Sequence, residues 1–161
     1  IKKVLAENKL DGIDLDFEWA ETEKEYKDYS LAILKMREVL GDKYLFSVSL
    51  HPVSYKISKE AIAAVDFISL QCYGPSPVRF PMEKYASDIQ MVLAYGIPKE
   101  KLVAGVPFYG VTKNGSKKTE AYFSFVQDGL ITTPAQNEVT YKGEVYVFDG
   151  QDHIRLSLIH I

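Results

Sequence analysis

Residues 11–19 read Asp-Gly-Ile-Asp-Leu-Asp-Phe-Glu-Trp, and from residue 12 to 18 apolar and acidic side chains alternate. Alternate side chains of a strand share a face, so Ile13, Leu15 and Phe17 point one way and Asp14, Asp16 and Glu18 the other. Three carboxylates on one face do not suit a packed core, because burying like charges together is costly unless they are protonated, paired or solvated. A cleft at the C-terminal end of a parallel strand removes the conflict. Substrate reaches the groups there, and mutual repulsion leaves one carboxyl able to hold a proton near neutral pH. Glu18, last on the predicted strand and beside Trp19, is the natural general acid. Taken alone, D-x-D-x-E fits equally well a hard-cation site, a helix cap or a solvated strand end.

Working outward, the chain repeats a short apolar run, a helical stretch and another short apolar run. Tyr26, Tyr29, Ile33, Met36 and Leu40 recur at helical spacing, which predicts a helix over 21–40 with Gly41 at its C-terminal cap. Strands are predicted over 44–50, 66–73 and 102–107. Further helices are predicted over 59–64, capped by Ser58, and over 81–95, where Met82, Tyr85, Ile89 and Val92 share a face. Four such strands, roughly thirty residues apart, are the spacing of parallel βαβ crossovers and of an α/β fold. Beyond Gly110 the composition turns to Gly, Ser, Thr, Asn and Lys, and residues 139–141 and 144–148 flank Lys142-Gly143 as a two-residue hairpin. The reading is one domain over 1–161, with 111–148 as an inserted segment. A last helix is expected to begin at about residue 152 and to stop before it buries a face, with 157–161 an abrupt ending.

Composition narrows the function. With 47% hydrophobic and 25% charged residues, the chain holds enough apolar material for one core. A net charge of -3, made by interspersed Lys and Glu, gives no basic face for nucleic acid or an anionic membrane and suits a neutral substrate. A single cysteine, Cys72, excludes an intrachain disulfide framework, and strand alternation turns it away from Gln71 and Tyr73 as a core thiol. No apolar run is long enough to span a membrane, and no signal-peptide pattern opens the chain; its start at Ile1 is read as missing upstream sequence. No His neighbours the acidic row, so neither a metal site nor a cofactor is expected.

Residues 11–19 contain the full D-x-x-D-x-D-x-E pattern and resemble the fourth barrel strand of family-18 glycoside hydrolases, the chitinases and endo-β-N-acetylglucosaminidases. YLFSVSLHP (44–52), FISLQCYG (67–74) and LVAGVPFYG (102–110) resemble the fifth, sixth and seventh strands in order. TYKGEVYVFDGQDHIRL (140–156) resembles the segment leaving the family's inserted α+β lobe. The resemblance implies a partial (β/α)8 TIM barrel, about strands 4 to 7, with part of an α+β insertion after strand 7. It further implies hydrolysis of β-1,4-linked N-acetylglucosamine polymers with retention, the nucleophile being the substrate's own acetamide. Glu18 then acts as acid and base, and Asp16 bonds the acetamide nitrogen. Asp14 shares a proton with Asp16, and Tyr73 holds the acetamide carbonyl. Gln71 and Tyr109 line the pocket; Trp19 packs beside the acid or covers a sugar face; His51 is a rim residue.

Two positions depart from the chitinase pattern. Gly74 stands where many members carry Asp, and Val111 where many carry Arg. They keep an endo-β-N-acetylglucosaminidase acting on N-glycans open, with peptidoglycan fragments a third substrate class; a non-catalytic lectin-like member is the alternative outside enzymes. The expected partner is a carbohydrate. A polymeric substrate outside the cell implies secretion. A whole barrel needs about 250 residues, so the isolated chain is expected to be unstable or inactive.

Overall fold

A computed structural model describes residues 1–159, with side chains described through 155. Two compact units divide the chain: Ile1–Gln71 with Met91–Ala104, and Cys72–Gln90 with the residues from Gly105 onward.

The first unit begins with a short helix, α1 (Lys2–Glu7), whose single buried side chain, Leu5, is too little apolar signal to have marked it in the sequence. Three parallel strands follow: β1 (Gly12–Asp16), β2 (Leu45–Leu50) and β3 (Phe67–Gln71). Their sheet continues to β4 (Leu102–Gly105), in the order β1-β2-β3-β4. Register pairs Asp14 with Ser47 and Asp16 with Ser49, then Ser49 with Ser69 and Leu50 with Leu70. Phe46, Val48, Leu50, Ile68 and Leu70 alternate with those polar residues and are almost wholly buried. Each such side chain taken from water stabilises the unit by roughly 1.5–3 kcal/mol.

Helix α2 (Glu23–Leu40) starts two residues later than predicted because Thr22 caps it: the Glu25 N–H donates to the Thr22 hydroxyl while the Thr22 N–H donates to the Glu25 carboxylate. Its predicted stripe buries Tyr29, Ile33 and Leu40. Helix α3 (Lys59–Ala64) has Ser58 as its cap, as predicted. A hub that sequence gave no sign of joins the pieces. The Arg37 guanidinium donates to the carbonyls of Ala64, Gly41 and Tyr44 and to Asp66, and Asp66 also accepts from the Phe46 N–H at 2.7 Å.

Strand ends differ from expectation. The predicted strands 12–18, 66–73 and 102–107 stop at Asp16, Gln71 and Gly105, so Glu18 and Tyr73 each stand two residues beyond a strand rather than on it. For β1, Ser49 is the last ladder partner, and the chain then leaves the sheet toward α2. Helix α4 (Met82–Tyr95) has the predicted face, with Tyr85, Ile89 and Val92 buried.

In the second unit, the stretch read as an inserted segment forms an antiparallel sheet with one helix. Strands β5 (Tyr109–Thr112) and β6 (Thr119–Ala121), helix α5 (Tyr122–Gln127), and β7 (Glu138–Tyr141) and β8 (Glu144–Val147) follow in sequence, with sheet order β6-β5-β8-β7. The hairpin falls where Lys142-Gly143 placed it, both residues having positive φ, 49° and 80°, as a mirror-type two-residue turn requires. Phe125 of α5 is fully buried with Val139, Tyr146 and Phe148. A Cβ on Gly110 would lie 2.9 Å from the Phe125 ring, which explains a glycine at that close approach. Helix α6 (Gln151–Ile159) begins where a last helix was expected. The expected abrupt ending over 157–161 falls outside the described side chains and, for 160–161, outside the described residues.

Candidate active site

On the open face of β1 the carboxylates are engaged in graded fashion. Asp14 accepts from two hydroxyls, Ser47 Oγ on Oδ1 at 2.5 Å and Ser49 Oγ on Oδ2 at 2.8 Å. Asp16 accepts from Gln71 Nε2, which is 3.2 Å from each of its oxygens. Glu18, past the end of the strand, is exposed. The arrangement follows from register, because Ser47 and Ser49 of β2 share the polar face with β1's acids, and Gln71 ends β3 on that face. Neutral donors hold a carboxylate in place without neutralising its charge, and no ion pair among the described residues involves Asp14, Asp16 or Glu18.

Behind the row, the Tyr29 hydroxyl donates to the Leu15 carbonyl at 3.1 Å. Burial, and then the negative charges of Asp14 and Asp16, push that phenol well above its ordinary range, so it stays a neutral donor. Beyond Glu18 the peptide to Trp19 is cis. The Trp19 ring lies 4.7 Å from that of His51, which is 8% exposed and therefore buried, not on the rim where sequence put it. His51 Nδ1 accepts from the Val53 N–H at 3.2 Å, and Ser54 Oγ bonds both backbone groups of Ala20.

The second unit holds the other candidates. Tyr73 and Tyr109 meet edge to face at 6.4 Å, and Phe80 meets Tyr109 at 6.3 Å. Burial raises the Tyr109 phenol, with Tyr73 and Asp149 adding to the effect. Cys72 is buried and its thiol is pushed up to about 12, by burial first and then by Asp88, which fits the core thiol expected. A Cβ at Gly74 would meet only Arg79, at 3.8 Å. Arg79 and Lys84 both pair with the buried Asp88 carboxylate. Val111 is fully buried in β5 and so faces no ligand.

The structure thus brings Asp14, Asp16 and Gln71 together, sets Glu18 next along the chain with Trp19 on His51, and gathers Tyr73 and Tyr109 separately. Sequence reasoning missed Ser47, Ser49 and Ser54. The first two carry a signal, since they alternate with Phe46, Val48 and Leu50 on a strand adjacent to the acids. Among the described residues, no group of three or more His, Cys, Asp or Glu side chains is placed to hold a metal ion.

The chain is similar to "Probable chitinase 2" of Drosophila melanogaster, 28% identical over an alignment 127 positions long that covers 64% of this chain and 26% of that protein. Among solved structures it is similar to the GH18 chitinase ChiB from the chitin utilization locus of Flavobacterium johnsoniae. The TM-score is 0.80 and the identity 26%, over 99% of this chain and 53% of that one. It also matches class V chitinase from Nicotiana tobaccum, solved in complex with NAG4, at a TM-score of 0.73 and 17% identity over 99% of this chain and 62% of that one. The chain therefore spans about a quarter of the curated relative and about half of the solved ChiB chain. These likenesses make the parallel sheet and its helices part of a TIM-barrel-type α/β fold. The model of the family described as "Glycosyl hydrolases family 18" matches residues 1–154, and the chain belongs to that family.

Proposed function

We propose that this chain is the catalytic portion of a secreted chitinase that cleaves β-1,4-linked N-acetylglucosamine polymers, with Glu18 as general acid and then general base. It supplies about strands 4 to 7 of the barrel, as β1 to β4, with residues 111–148 as the insertion. The observation that carries the reading is the acidic row of a family-18 chain, all three carboxylates exposed, with Asp14 fixed by two serines, Asp16 by Gln71, and Glu18 just past the strand end. A group fixed by neutral donors is an oriented acceptor, and an open carboxyl at the end of the row is one a substrate reaches.

In the proposed reaction the substrate's acetamide oxygen attacks its own anomeric carbon as Glu18 passes a proton to the departing glycosidic oxygen. An oxazolinium ion and a free sugar hydroxyl result. Water, deprotonated by Glu18, then opens the ion with net retention. Asp16 accepts from the acetamide N–H, and its orientation by Gln71 is the kind of positioning that gives intramolecular attack its advantage. Tyr73 donates to the acetamide oxygen, and Tyr109 and Trp19 face sugar. Asp14, oriented by the Ser47 and Ser49 hydroxyls, shares a proton with Asp16 in this reading.

The test is the anomeric configuration of the first product released from chitotetraose by the full-length protein, read by proton NMR. The β-anomer is expected, and an initial α-anomer would exclude the acetamide as nucleophile. One observation favours a second substrate: Gly74 has only Arg79 beside it, and Val111 is buried, where many chitinases carry polar residues. Release of glycan from a high-mannose glycopeptide, with no cleavage of chitotetraose, would move the assignment to an endo-β-N-acetylglucosaminidase.

A further inference from the structure

Between Asp16, where β1 leaves its ladder, and Thr22, which caps α2, the chain carries Glu18 on irregular backbone. Ala20 in this stretch is 1% exposed, so both of its backbone polar groups need partners. One hydroxyl supplies both. Ser54 Oγ accepts from the Ala20 N–H at 3.1 Å and donates to the Ala20 carbonyl at 2.9 Å.

Ser54 is in turn held firmly. It is 4% exposed and closes a tight turn at the end of β2, where the His51 N–H donates to the Ser54 carbonyl at 3.2 Å and the Ser54 N–H to the His51 carbonyl at 2.7 Å. The His51 ring, on the same turn, packs on Trp19. Both residues after Glu18 are therefore fastened to one turn, whereas Glu18 itself enters no ion pair among the described residues.

We infer that the 51–54 turn aims the Glu18 carboxyl, with Ser54 as a positioning residue for proton donation; the inference rests on Glu18 being the acid. Misplacement by about 1 Å costs on the order of a hundredfold in rate. Proton donation matters most when the leaving group is a sugar alkoxide and least when it is a weakly basic phenolate that departs unprotonated.

The experiment compares the full-length protein with its Ser54→Ala variant on chitotetraose and on dinitrophenyl chitobioside. The ratio of the two rates does not depend on how much of the variant is folded, so partial unfolding does not imitate the effect. The variant is expected to lose about tenfold more on chitotetraose than on the aryl substrate. Ser54→Thr, which keeps the hydroxyl, is expected to stay near the wild-type ratio. Equal losses on both substrates, no loss on either, or a Ser54→Thr ratio as low as that of Ser54→Ala would overturn the inference. A wild type that cleaves neither substrate would overturn the assignment of Glu18 together with it.

Discussion

The acids of β1 and those of the inserted sheet are held in opposite ways. On the strands of the inserted sheet each acid meets a lysine: Lys113 with Glu138, Lys118 with Glu144, and Lys142 with Glu120. On β1, Asp14 and Asp16 meet hydroxyls and an amide, and no lysine or arginine. A lysine partner cancels the charge and ties two strands together at an exposed surface. A neutral partner fixes direction and leaves the charge in place, which is what a group that must act on a bound substrate requires.

If that contrast is right, structure and chemistry come apart under mutation. The largest effect belongs to the insertion's core. Phe125→Ala removes a fully buried ring and is expected to destabilise by about 3–5 kcal/mol, measured by denaturant unfolding. Loss below about 1 kcal/mol would mean that the insertion does not depend on that core. Asp16→Asn keeps the shape and removes the charge. Chitotetraose cleavage by the full-length protein is expected to fall on the order of a hundredfold, as for a misplaced reacting group, with the melting temperature little changed, and a drop in melting temperature with activity intact would reverse the reading of β1.

Asp66, beside Arg37, supplies a pH effect of intermediate size. Burial works to raise its carboxyl, but the Phe46 N–H and the Arg37 guanidinium outweigh this and hold it below the ordinary value. A lowered folded-state value contributes stability that is present above the unfolded value and is lost as pH falls through the folded one. Melting temperature is therefore expected to drop below about pH 4, and less steeply in Asp66→Asn; identical slopes would remove Asp66 from the account. The smallest effect is that of Lys118→Ala, whose exposed pair with Glu144 is screened by solvent, so melting temperature and activity are both expected to stay close to the wild type.

What was legible in the sequence was what local periodicity encodes. The acidic alternation, the α2 stripe, the Ser58 cap and the Lys142-Gly143 turn each declare themselves within a few residues. What was not legible depends on partners far along the chain. The last ladder partner of β1 is Ser49, and the buried His51 packs on Trp19; Ser54 reaches Ala20 across 34 positions. Strands β5 and β6 and helix α5 are three to six residues long, too short for a period to emerge from a stretch rich in Gly, Ser and Lys. In the site, the carboxylates were visible because alternation concentrates them, while the serines that hold Asp14 look like ordinary strand residues until β2 is laid beside β1.

The most direct measurement is the rate of chitotetraose cleavage by the full-length protein and by its Glu18→Gln variant, which keeps the side chain's shape and removes its proton. A fall of about a hundredfold to ten-thousandfold, with the variant still binding chito-oligosaccharide, is the predicted result. Cleavage at the wild-type rate by Glu18→Gln would contradict the assignment of Glu18 as the proton donor.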